Sequence, residues 1–137
     1  MIHGLDWLMV DYQKVASDYV TDVLQNKVLS NKYVKLACRR QLDDLMNEGT
    51  SGFPYVYDPA KGTRVCQFVE QLPHIKGKLA GEKIKLEPWQ IFILMTAFSW
   101  VHKETGYRRF RRVYIEVPRG NEVRHEFSHW ALYALRR

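Results

Sequence analysis

The sequence predicts a small α+β domain, mostly helical, whose short sheet contains a strand running from Tyr107 to Val117. Three observations carry this. Apolar residues recur at helical spacing in four separate stretches; one arginine-studded stretch near the end has strand-forming composition instead; and 137 residues with 46% hydrophobic and 13% aromatic content suffice for a modest core. No internal repeat or low-complexity tract divides the chain, so residues 1–137 read as a single domain.

The first helix is expected between Asp11 and Val28, where Val15, Tyr19, Val20, Val23, Leu24 and Val28 fall on one stripe. A second follows at once. Ser30 or Asn31 can cap it, Val34, Ala37, Cys38, Leu42 and Leu45 make its buried face, and Gly49 stops it, so the two helices form a hairpin. From Thr50 to Tyr57, Gly52, Pro54 and alternating aromatics suit a loop with a short extended piece. Asp58 then caps a third helix that Pro59 opens, with Val65, Phe68, Val69 and Leu72 apolar and Pro73 as its end. A basic loop over residues 74–82 leads to a short strand at Ile84 to Leu86. Pro88 opens the fourth helix, which Trp89, Ile91, Phe92, Ile93, Leu94, Phe98 and Trp100 wrap on most sides, marking it as the centre of the fold. After Gly106, Phe110, Val113, Ile115 and Val117 supply β-branched and aromatic character over a strand-like length, and a less regular helix is expected from Glu122 to Leu135.

A formal charge of +6, from 21 Lys and Arg against 15 Asp and Glu, favours acidic partners such as nucleic acid or an acidic protein face. Cys38 and Cys66 lie on apolar helix faces far apart, as buried free thiols do. The longest strongly apolar run, Ile91 to Val101, is too short to span a bilayer, so no membrane association and a cytosolic location are expected.

Four stretches taken in order carry a family resemblance: YVKLACRRQLDDL from Tyr33, VCQFVEQLPHIKG from Val65, LEPWQIF from Leu86 and RRFRRVYIEVPR from Arg108. In order and spacing they resemble the N-terminal segment of the large terminase subunit of tailed phages. The likeness runs from about Tyr19 onward. It implies a single terminase-like domain ending at a degenerate P-loop, a life in the cytoplasm of the bacterial host, and partners among DNA, the portal and the small terminase subunit. It also implies that Trp89 and Gln90 descend from an adenine-recognition element, in which an amide pairs donor and acceptor with the base edge. The other reading of Gln90 is a surface or capping amide beside a core tryptophan.

In that family a strand leads into a Gly-rich turn ending in Gly-Lys-Ser or Gly-Lys-Thr, whose backbone N–H groups and lysine hold the nucleotide phosphates. Here the strand leads into Pro118, Arg119, Gly120 and Asn121, followed by Glu122, which sets a negative charge where phosphate belongs. With no P-loop lysine, and with the chain reaching Arg137 before any Walker B carboxylate, the expectation is a protein that binds without hydrolysing ATP and needs no cofactor.

Two further constellations compete. His125 and His129 match His-Glu-x-x-His, which on a helix sets two imidazoles toward zinc with a glutamate beside the metal-bound water, as in a metallohydrolase. No His, Cys, Asp or Glu follows His129 to complete a ligand set, which leaves surface or packing histidines as the plainer reading. Arg108, Arg109, Arg111 and Arg112, with Tyr107 and Phe110, make an arginine-dense segment suited to phosphates and base stacking, or simply to solvent. The same arginines are the first candidates for a second function: inhibition of a bacterial defence system, such as a CRISPR effector, by engaging a host defence nuclease or guide-RNA complex.

Overall fold

The computed structural model describes residues 10–73 and 81–115, and 54% of the described residues are helical. Among the described residues, four helices and a two-stranded antiparallel sheet form a mostly helical α+β fold. Helix α1 spans Tyr12–Leu24 and α2 Lys32–Asn47. The carboxylate of Asp11 accepts from the backbone N–H of Lys14, and the Asn31 side chain accepts from those of Tyr33 and Val34, so each helix begins on a side-chain oxygen that satisfies otherwise orphaned donors. Helix α1 stops four residues before Val28, because Asn26 takes a left-handed conformation at φ 60° and turns the chain toward α2.

Strand β1, Tyr55–Tyr57, is the short extended piece expected after Gly52. Helix α3, Pro59–Glu70, starts as expected, with Asp58 accepting from the N–H of Ala60 and Pro59 in the first turn. Helix α4, Pro88–Ser99, runs directly into β2, Trp100–His102. Tyr57 pairs with Trp100, Val56 with Val101 and Tyr55 with His102. Helix α4 is the centre of the fold: it packs against both α3 and α1, and Ile91, Leu94, Met95, Ala97 and Phe98 are buried with Cys66, Val69 and Ala16. A smaller cluster of Val20, Val23, Cys38 and Phe92 joins α2 to this layer.

Three expectations need correction. The strand from Tyr107 to Val117 does not form over residues 107–115, which carry only the single bridge Val101↔Arg108; the sheet is built from β1 and β2 instead. The cause is visible in the pattern. Paired arginines on either side of Phe110 break the two-residue alternation that would give a strand one apolar face. Ile84 to Leu86 is likewise no strand, although Lys83 bridges Pro73 and the N–H of Ile84 donates to the Leu72 carbonyl. Its ladder is replaced by a side chain. The Leu86 N–H donates to Glu70 Oε2 at 2.9 Å while the Tyr12 hydroxyl donates to Glu70 Oε1, so one carboxylate ties α1, α3 and this segment together. Finally, Leu42 and Phe68 are exposed at 40% and 46%, because the inward face of α2 belongs to Cys38, Gln41 and Asp44 and that of α3 to Gly62, Cys66 and Val69.

Candidate functional site

Gly106, at φ 74°, reverses the chain after β2 so that residues 107–109 return along it. The N–H of His102 donates to the Tyr107 carbonyl and that of Arg109 to the Trp100 carbonyl, which fixes which arginine faces inward. It is Arg109. Its Nη1 donates to Asp44 Oδ2 at 2.7 Å, with the two side chains only 18% and 11% exposed. Around the guanidinium stand the rings of Phe110, Tyr55, Phe53 and Trp100, their centroids 4.8, 5.0, 5.2 and 5.6 Å from its central carbon. A cation set against aromatic faces and one carboxylate is compensated by both, and the planar guanidinium suits such stacking better than an ammonium does. Trp100 is oriented in turn by its indole N–H, which donates to Gln41 Oε1 at 2.9 Å, and by the edge of Phe53, 5.7 Å away.

The four arginines therefore divide. Arg109 is an internal anchor. Arg108 is half-buried with its central carbon 5.7 Å from the Phe98 ring, whereas Arg111 and Arg112 are exposed, as are Tyr107 and Tyr114 nearby in the chain. Arg40 of α2 lies over Phe110 at 5.1 Å, which brings the exposed basic side of that helix against the same segment. Sequence reasoning missed Asp44 and Gln41 as the partners that hold this arrangement. The signal was present: both sit at helical spacing from Cys38, so an acid and an amide fell on a face that had to be buried, and such groups need partners.

Gln90 is 1% exposed and closes the start of α4. Its Oε1 accepts from the Glu87 N–H at 2.8 Å, and the Glu87 carboxylate accepts both from the Gln90 N–H and from the Trp89 indole at 2.8 Å. This reciprocal cap occupies the amide oxygen with the backbone. A base edge reaches it only if the first turn of α4 opens.

Pro118, Arg119, Gly120, Asn121, His125 and His129 lie outside the described residues, as does the helix expected from Glu122 to Leu135. Among the described residues no group of three or more His, Cys, Asp or Glu is placed to hold a metal ion, and no helix is long and apolar enough to cross a membrane. Among the described residues, a cavity between α1, α2 and α4, lined by Gln13, Gln41, Tyr57 and Thr96 among others, has a volume of about 30 Å³. That is the scale of one water molecule, far below the roughly 300 Å³ at which small-molecule pockets begin.

Cys38 and Cys66 are free and fully buried. Burial pushes their thiols from an ordinary 9.0 up to about 11 and about 12, with the nearby Glu70 carboxylate adding to the rise at Cys66. Neither is a nucleophile at neutral pH. Because the folded state holds these protons more tightly than the unfolded chain, their contribution to stability is complete below pH 9 and is lost as pH climbs toward 11 to 12. The urea midpoint is expected to fall between pH 8 and pH 10, and both thiols to react with a disulfide reagent only on unfolding. A native protein that reacts rapidly at pH 8 contradicts the buried placement.

Fold and site together define a mostly helical α+β protein with one anchored arginine and a solvent-facing arginine pair. Comparison with protein-family models, with curated proteins and with solved structures finds no match to this chain.

Proposed function

We propose that this chain is a non-catalytic binding protein descended from the N-terminal segment of a terminase large subunit, and that it presents an arginine-bearing surface to nucleic-acid phosphates in the bacterial cytoplasm. The observation that carries this is the division of labour among the arginines. Arg111 and Arg112 stand in solvent on a segment that Arg109 ties to α2 and the sheet, so two guanidinium forks are displayed from an anchored support rather than from a loose tail. Exposed Tyr107 and Tyr114 add ring faces on which bases can stack, and the net charge of +6 supplies attraction at longer range. The absence of Gly-Lys-Ser after the arginine segment supports binding without hydrolysis.

The partner is identified by affinity capture of the tagged protein from phage-infected and uninfected bacterial lysates, with a nuclease-treated control and an Arg111→Glu/Arg112→Glu variant alongside. Recovery of viral DNA, the portal or the small terminase subunit by the wild type alone is the expected result and places the chain in packaging. Recovery of a host nuclease or guide-RNA complex makes it an inhibitor of a defence system, with terminase as its ancestry. Identical recoveries by wild type and variant remove the arginine pair from the account.

A further inference from the structure

We infer that the outward face of α2 is a second docking surface, independent of the arginine pair, and that its partner is an acidic amphipathic helix of another protein. Helix α2 buries Cys38, Gln41 and Asp44 on one side. On the other, Lys32, Leu36, Arg39, Asp43 and Met46 follow one another at steps of three and four residues and so form a single stripe, with all five exposed. Leu36 is 61% and Met46 79% exposed, and Leu29 just before the helix is fully exposed. Large aliphatic side chains at helical spacing on a solvated face leave apolar area that a partner removes from water. The stripe, from Lys32 to Met46, is about 21 Å long at roughly 1.5 Å per residue, which matches a helix of similar length laid along it.

Charge selects the occupant. Lys32, Arg39 and Arg40 are exposed around the aliphatic residues, Lys35 is half-buried beside them, and Asp43 is the one acid within the stripe. A second copy would set this basic face against itself, and like charges brought together oppose pairing. Nucleic acid satisfies the cations but gains nothing from Leu29, Leu36 and Met46, which cannot stack on bases, and the exposed Tyr33 already lies under the Lys32 ammonium at 5.0 Å. A helix with leucines along one face and glutamates flanking them satisfies both kinds of residue.

The test uses a fluorescent peptide of about 18 residues with Leu at i, i+3, i+4 and i+7 and Glu on the flanks, its Lys-for-Glu analogue, and a single-stranded oligonucleotide as competitor. The acidic peptide is expected to bind saturably, at least about tenfold more tightly than the basic one. Leu36→Asp and Arg39→Glu are each expected to weaken it by about tenfold, with the melting temperature unchanged because both side chains are exposed. Arg111→Glu/Arg112→Glu leaves this binding intact, so the surface stands or falls apart from the proposed nucleic-acid interface. Equal binding of the two peptides, an unaltered affinity in Leu36→Asp, full displacement by the oligonucleotide, or a dimer that Leu36→Asp dissociates would each overturn the inference.

Discussion

Replacing Arg109 with alanine is expected to lower the stability of the protein by about 3–5 kcal/mol, the range for removing one partner of a buried ion pair. The change strands the Asp44 carboxylate, 11% exposed, and empties the space between four aromatic rings. Since a domain of this size has a total stability on the order of 5–15 kcal/mol, the alanine variant verges on unfolding. Two further variants keep the test informative. Arg109→Lys retains charge but not the planar fork, so it is expected to lose less than the alanine variant, and Asp44→Ala combined with Arg109→Ala is expected to cost clearly less than the sum of the single changes. Urea unfolding followed by tryptophan fluorescence reads the result, because Trp100 packs on the site itself. A single-variant loss below about 1 kcal/mol would put the pair among solvent-screened surface contacts and remove the anchor.

The second large effect is expected at Gly62. A Cβ placed there lies 2.3 Å from Ser99 Oγ, 2.8 Å from Met95 Sδ and 3.0 Å from Met95 Cα, so α3 and α4 touch at this glycine with no room for a methyl group. The last of these contacts is backbone and cannot rotate away. Gly62→Ala gains about 1 kcal/mol of helix propensity. Overpacking of a core costs about 1–3 kcal/mol, and the fixed backbone contact places this site at the upper end, so the net result is destabilising and Gly62→Val is worse. Ser99 Oγ is buried near the Tyr57 hydroxyl without a well-formed hydrogen bond, so Ser99→Ala is expected to cost little alone and to restore part of what Gly62→Ala loses. Thermal melts of Gly62→Ala, Gly62→Val, Ser99→Ala and the Gly62→Ala/Ser99→Ala double variant check this. A more stable Gly62→Ala protein would show that the helices are not in contact there.

These two sites mark where the sequence was legible and where it was not. Asn31, Asp58 and Pro59 announced helix starts through local chemistry, since a capping oxygen or a proline acts within a few residues of itself and needs no tertiary context. The heavily apolar run after Pro88 announced the central helix in the same way. Gly62 gave no sign, because an apolar helix with one glycine reads as ordinary until a second helix is laid against it. Asp44 and Gln41 were passed over in favour of Leu42, since hydropathy ranks a leucine above an acid and an amide for burial; the burial of Asp44 is made tolerable by Arg109, sixty-five residues away in the chain. The arginine segment is legible in the sequence as a candidate site but not in its local structure. Strand propensity of Phe110, Val113 and Ile115 counts for little when neighbouring arginines are pulled to opposite fates, one into the aromatic box and others into solvent. Gln90 carried two readings that only geometry separates, and in the structure its amide oxygen caps α4.

In the proposed function Arg111 and Arg112 meet phosphate. Fluorescence anisotropy with a labelled DNA, titrated with wild type and with Arg111→Glu/Arg112→Glu as salt rises from about 50 to about 200 mM, tests it most directly. Wild-type binding is expected to weaken steeply with salt, and the variant to bind more weakly with a log–log salt slope shallower by about 2, one for each phosphate contact removed. Equal affinity and equal slope in the two proteins would contradict it.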